Sequence, residues 1–398
     1  MKIAFVAPNY TTISLFFSAL VKKLIVSGNT VYVFAADDSY FKEVEQLGAT
    51  CIPVKLKRFI SPVSDIILLR TLSSHFKKEE FDLVSNFSVK ANIFGSMAAR
   101  LAGVPQITAM VLGAGVVFHG GPGIKIKIIR AIVTFLYKIS FKVCNRICFV
   151  NEDDLSLFVA KKIVNTNKAI LIPSGIGVDL TRFSIESFNK ERLNKLKIKL
   201  GLESDSLVVL MPVARLIWSK GVKEFINAAE ILSSDYPPVK FVLLGQIEKK
   251  GIGRGIGNVP QHYLEDKLHK KAGINLTHLG FRKDVHDIMA ISDIIVLPSY
   301  YGEGLPQSLI EGLSLAKPIV TTNHVGCRLA VDHGVNGFLV PPKNESALVS
   351  AISVLIENDT LRQFFGKNSR HKAIEKFNKN TIIKKIITEL YLLNESSS

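Results

Sequence analysis

Ile294-Ile295-Val296-Leu297-Pro298-Ser299-Tyr300-Tyr301-Gly302-Glu303-Gly304-Leu305-Pro306-Gln307-Ser308-Leu309-Ile310-Glu311 packs a strand, a loop and a helix start into one short stretch. Residues 294–297 are wholly apolar, the pattern of a strand buried on both faces. Pro298-Ser299 ends it, and Gly302 and Gly304 mark a loop. A helix follows near Pro306, because proline suits a first helical turn. A doubly buried strand leading through a loop into a helix is one step of a parallel α/β sheet.

The same step recurs on both sides. Strand patterns at 207–211, 240–244, 277–279, 319–322 and 337–340 belong with 294–297 in one series. An earlier series lies at 3–7, 30–35, 51–56, 83–87, 106–112, 147–150 and 169–172, interleaved with helical patterns at 14–27, 62–78, 90–102 and 125–141. Two series predict an α/β protein of two doubly wound, Rossmann-like parallel-sheet domains, in keeping with 398 residues. The expected division is residues 1–175 for the first domain, 176–206 for a connection and 207–376 for the second. Residues 377–398 hold a last helix with no strand to serve, which can pack back on the N-terminal domain or its neighbour.

With 47% hydrophobic and 21% charged residues, the chain is not disordered, collagenous or a disulfide framework. Cys51, Cys144, Cys148 and Cys327 form no C-x-x-C and suggest a reducing compartment. No signal peptide and no uncharged stretch of membrane-spanning length stands out, so a cytoplasmic protein is expected. The net charge of +16 calls for an anionic partner: nucleic acid, acidic lipid or phosphorylated substrate. Between Leu83 and Asn151 there is no acid, while Lys90, Arg100, Lys125, Lys127, Arg130, Lys138, Lys142 and Arg146 are all present. Lys127, Arg130, Lys138 and Lys142 share a helix face. That face is either a solvated one on a domain-packing helix or a surface for an anionic bilayer.

The chemistry concentrates at two strand ends, where open α/β sheets place ligands. Free N–H groups of Gln307, Ser308 and Leu309 at a helix start offer an anion site. Glu303 and Glu311 bracket it, as carboxylates suited to sugar hydroxyls. A phosphate between hydroxyl-bearing rings is a nucleotide sugar. In Met211-Pro212-Val213-Ala214-Arg215-Leu216-Ile217-Trp218-Ser219-Lys220-Gly221, a strand ends at Pro212, Arg215 follows in the loop, and Lys220-Gly221 opens the next helix. Two cations there are placed to meet a diphosphate.

With Arg215, Lys220-Gly221 and Glu303/Glu311, and the stretches Pro318–Thr322, Gly326-Cys327-Arg328 and Gly334–Pro341, the chain resembles the GT-B-fold retaining glycosyltransferases of family four. The resemblance spans nearly the whole second domain. In the first, Lys90–Gly95, Leu112–Gly115 and Leu136-Tyr137-Lys138 look like the branch that builds bacterial lipid-linked oligosaccharides.

The likeness implies two domains facing a central cleft. It also implies transfer of a hexose or N-acetylhexosamine (UDP-GalNAc or a related donor) to an undecaprenyl-diphosphate-linked saccharide, for O-antigen, lipopolysaccharide, capsule or N-glycan precursors. By position, Arg215 and Lys220 would hold the diphosphate, Glu311 the ribose and Glu303 the donor hexose, with retention of configuration and no protein nucleophile. His119, Lys90 and Gly113 are further substrate candidates. One departure is Pro8-Asn9-Tyr10-Thr11-Thr12, where many members have paired glycines.

No D-x-D occurs, so the expected donor site has no metal and no cofactor beyond the UDP-sugar itself. The expected location is peripheral, on the inner face of the cell membrane, through the basic helix near 125–146, with no nucleic acid involved. The rival readings are a non-hydrolysing UDP-sugar epimerase and a basic nucleic-acid-binding protein. Gly251, Gly253, Gly255 and Gly257 make no dinucleotide fingerprint and read as a loop.

Overall fold

The computed structural model describes residues 1–57, 61–119, 123–203, 206–247, 258–269 and 275–392. The glycine-dense segment 251–257 lies outside the described residues. Two compact units emerge: Met1–Ile176 with Asn380–Ser398, and Gly177–Lys379.

The first unit holds a seven-stranded sheet of β1 (Lys2–Asn9), β2 (Thr30–Ala36), β3 (Thr50–Pro53), β4 (Leu83–Phe87), β5 (Gln106–Val111), β6 (Arg146–Phe149) and β7 (Ala169–Leu171). Their order is β3-β2-β1-β4-β5-β6-β7, and every pairing is parallel. β1 shows why the sheet needs cover on both sides: Ile3, Phe5 and Ala7 join one apolar cluster, Ala4 and Val6 another. The second unit holds β8 (Val208–Arg215), β9 (Lys240–Gln246), β10 (Leu276–His278), β11 (Ile294–Leu297), β12 (Ile319–Thr322) and β13 (Gly337–Val340). They run in the order β10-β9-β8-β11-β12-β13, again all parallel. Both sheets reverse their winding beside their first strand, the place where such sheets bind ligands.

Two expectations shift. β8 does not stop at Pro212; it resumes after a register irregularity between Pro212 and Arg215, because proline has no N–H for the ladder. Arg215 is therefore the last strand residue rather than a loop residue. Cys144 follows a helix end and Cys148 lies on β6, both buried.

Four helices of the first unit matter below: α1 (Pro62–Glu79), α2 (Ser96–Ala102), α3 (Ile124–Val143) and α4 (Glu152–Ala160). α2 touches both α1 and α3. α3 turns Val133, Tyr137 and Phe141 into the core, where Tyr137 and Phe141 meet Phe158 of α4. Its opposite face is not the continuous basic stripe expected. Ile124 (77% exposed), Ile128, Ile132, Phe135 (63%) and Ile139 form the outermost row. Lys125, Lys127, Lys138 and Lys142 flank that row. Arg130 turns aside, and its Nε donates to Val117 O at 2.7 Å. Val63, Ile66 and Ile67 of α1 are exposed as well. Among the described residues no helix is long and apolar enough to cross a membrane.

The chain's last helix, Lys379–Ile386, continues as a π-helical turn, Ile387–Tyr391. It closes one face of the first sheet with Ile382, Ile383, Ile386, Leu390 and Tyr391. Tyr391 Oη lies 3.0 Å from Ser85 Oγ on β4.

Candidate active site

In the second unit the chain leaves β8 at Arg215, makes one 3-10 turn at Trp218–Lys220 and enters α5 (Val222–Asp235). Gly221 joins the two with φ of 81°, and a Cβ there would stand 2.2 Å from the Pro298 carbonyl oxygen. Glycine alone satisfies both demands. The Lys-Gly pair thereby presses the turn bearing Lys220 against the end of β11. Tyr300 N–H donates to Ser219 O at 2.8 Å and fastens the two loops together.

This approach creates a direct ion pair between Lys220 Nζ and Glu303 Oε1. Ser299 Oγ donates to the same oxygen at 3.1 Å, and Lys220 Nζ lies 5.3 Å from the Tyr301 ring centre. Glu303 is buried. Gly326 (φ 75°) lets the loop after β12 back against it, since a Cβ there would meet the Glu303 and Gly304 carbonyl oxygens at 2.6 Å.

α6 (Gln307–Ser314) starts after Pro306, which caps it with extended backbone and no side-chain hydrogen bond. The Leu309 N–H, one of the three expected anion donors, donates to Pro306 O at 3.1 Å, because the first turn closes tightly. The Gln307 side chain reaches Gly177 O at 3.2 Å. Burial pushes the Glu311 carboxyl up to about 7, against the opposing pull of the Gln307 amide, Arg182 and Lys379. The surroundings of the two acids differ: Glu303 is ion-paired with Lys220, whereas burial raises the Glu311 carboxyl.

In the first unit, Lys90 follows β4 and forms an ion pair with Asp65, a buried residue on the first turn of α1. Gly113 (φ 139°) shapes the turn after β5, and His119 ends the short helix Gly115–His119. His119 Nε2 lies 2.9 Å from Asp154 Oδ1. The loop after β1 manages without paired glycines. Asn9 caps it by accepting from Thr12 N at 3.0 Å, and Asp38 accepts from Thr11 N and Oγ1 at 2.9 and 2.7 Å. Asp65 and Asp154 escaped sequence reasoning, since no spacing rule ties either to its partner. The available signal was Asn151 followed by three acids, a helix start whose last acid turns inward.

Residues 2–151 match the family described as "Glycosyl transferase 4-like", and residues 194–372 the family described as "Glycosyl transferases group 1". Two parallel sheets with this constellation at a strand edge define a GT-B glycosyltransferase, and the chain belongs to family four of these enzymes. It is 30% identical, over 97% of both chains, to the N,N'-diacetylbacillosaminyl-diphospho-undecaprenol alpha-1,3-N-acetylgalactosaminyltransferase of Campylobacter jejuni. It is 31% identical, over 85% of this chain and 82% of the relative, to the UDP-Gal:alpha-D-GlcNAc-diphosphoundecaprenol alpha-1,3-galactosyltransferase of Escherichia coli. Among solved structures, a glycosyltransferase from Rickettsia africae superposes with a TM-score of 0.80 at 19% identity, covering 100% of this chain and 99% of that one. Anabaena HepE, crystallised with UDP and glucose, gives 0.78 at 20% identity, covering 98% and 99%. These structural likenesses show the fold.

Proposed function

We propose that the protein is a retaining transferase that moves a hexose or N-acetylhexosamine from a UDP-sugar to a saccharide on undecaprenyl diphosphate, in bacterial surface-polysaccharide or glycan assembly. The observation that carries this is the Lys220–Glu303 pair, set between Arg215 at the end of β8 and the start of α6. An arriving diphosphate competes with Glu303 for the Lys220 ammonium. Glu303 is then released toward the hexose hydroxyls, while Glu311 takes the ribose and the N–H groups of Gln307 and Ser308 face phosphate. The bond from C1 to the diphosphate oxygen breaks as the acceptor oxygen bonds C1 on the same face. The acceptor's proton passes to the departing diphosphate, whose charge Arg215 and Lys220 stabilise. His119, Lys90 and Gly113 are read as substrate contacts of the first unit.

Both relatives named above act, by their names, on diphospho-undecaprenol-linked sugars, which supports the acceptor class. The test is incubation with a panel of UDP-sugars, with and without a polyprenyl-diphosphate saccharide. Product should form only with the acceptor. Conversion of a UDP-sugar alone would make the protein an epimerase instead. Two cations meet the diphosphate without a metal on this reading, so EDTA should leave most turnover intact.

A lipid-bound acceptor puts the reaction at a bilayer, and we read the protein as peripheral on the inner face of the cell membrane. α3 supports this with an exposed apolar row beside Lys125, Lys127, Lys138 and Lys142. Lysines meet anionic lipid while isoleucines enter the headgroup boundary.

A further inference from the structure

We infer that the Gln307 side chain is a positioning group for donor recognition: it ties the first turn of α6 to residues 177–183 and so sets the Glu311 carboxylate for the ribose hydroxyls. This rests on the proposed function, in which Glu311 takes the ribose and Gln307 contributes its backbone N–H alone. Gln307, Glu311 and Ser314 recur at four- and three-residue steps, so they share one face of α6. Residues 177–183 are bonded to that face at both ends. Gln307 Nε2 donates to Gly177 O at 3.2 Å, and Ser314 Oγ donates to Phe183 O at 2.7 Å. Arg370, on the helix Asp359–Lys376, reinforces the far end by donating to Leu180 O, Phe183 O and Ser314 O at 3.1, 3.2 and 2.8 Å. Glu311 lies between these two ties. Arg182, from the same segment, favours its ionised form, as does Lys379, whose N–H donates to Val178 O at 3.1 Å.

Helix capping does not account for the Gln307 amide. Pro306 caps α6 with no side-chain hydrogen bond, and the amide reaches instead to Gly177. Methionine has the same length and a similar helix propensity, so the helix itself does not call for an amide here. An amide nitrogen carries two donors. One serves Gly177, and the amide also bonds the Glu311 carboxyl one turn on, the i, i+4 pairing that a helix face allows. An ionised carboxylate accepts at about four lone-pair positions, so it can take the amide and ribose hydroxyls together.

Gln307→Met keeps the side-chain length and the backbone N–H that faces phosphate, and removes only the amide. The full chain is titrated by calorimetry with UDP and with 2′,3′-dideoxy-UDP, which lacks both ribose hydroxyls. The native protein should bind UDP more tightly of the two. In Gln307→Met, UDP affinity should fall about fivefold or more, as when a hydrogen bond to a charged group is lost, with dideoxy-UDP affinity within about twofold. In a Glu311→Gln background the same change should cost UDP affinity less than about twofold, because the amide acts through that carboxylate. Equal losses for the two nucleotides, a UDP preference kept in Gln307→Met, or a full further loss in the Glu311→Gln background would overturn the inference alone. A native protein that bound the two nucleotides equally would remove the ribose role of Glu311, and this inference with it.

Discussion

Lys220 is paired with Glu303, so on the proposed reading donor binding exchanges one negative charge for another. Lys220→Ala should lower kcat/KM about a hundredfold, since it removes a charge-assisted contact to the leaving group. Glu303→Gln is more telling. It frees the ammonium, so UDP alone should bind more tightly by calorimetry, about threefold or more, while transfer falls at least tenfold. Weaker UDP binding by this variant would refute the exchange. Glu311 adds a pH dependence whose sign is fixed. Its carboxyl titrates at about 7 instead of 4.5. On the proposed reading, ribose hydroxyls donate to the ionised form, so binding below about pH 7 would expel a proton. UDP affinity should rise between about pH 5.5 and 7.5 and then level off, and Glu311→Gln should flatten that slope. The same raised pKa favours the folded state only at low pH. Its contribution is complete below about 4.5 and lost as pH climbs through 7.

At the scale of elements, much was legible. The strands at 83–87, 294–297, 319–322 and 337–340 lie where short apolar runs between turn residues put them. Doubly buried strands cannot disguise that pattern. The site was legible as residue types at strand ends, but not as contacts. Lys220 and Glu303 are 83 residues apart, and their meeting depends on how closely Gly221 approaches Pro298. α3 was harder for a different reason. Helical periodicity says which residues share a face, not which face the sheet covers, and both faces of this helix are apolar. Two variants test the membrane surface proposed for it. Changing Lys125, Lys127, Lys138 and Lys142 to Glu should abolish sedimentation with anionic vesicles, since each lysine contributes about 1 kcal/mol near such a surface. Changing Ile128, Ile132 and Phe135 to Ser should keep low-salt binding but make it reversible in salt. UDP binding should survive in both. If either pelleted like the native protein at every salt concentration, that half of the surface would not touch lipid.

For the whole molecule the telling element is the last helix, whose residues belong to the unit in which the chain began. Tyr391 Oη meets Ser85 Oγ, which also accepts from Thr108 Oγ1 at 3.0 Å, so a buried polar chain links the C-terminal segment to β4 and β5. Tyr391→Phe should cost about 1 kcal/mol in denaturant unfolding, the net worth of one such bond. Ending the chain after Asn378 strips five buried side chains from the first sheet. The shortened protein should bind a hydrophobic dye strongly and lose its first thermal transition. Retention of native melting would show that the helix is dispensable. During synthesis the consequence is one of timing. Strands β1–β7 leave the ribosome well before Tyr391, so the face they share with it stays open until the intervening unit has been made. That intervening unit can reach its native state first, so the unit begun first would mature after the one that follows it.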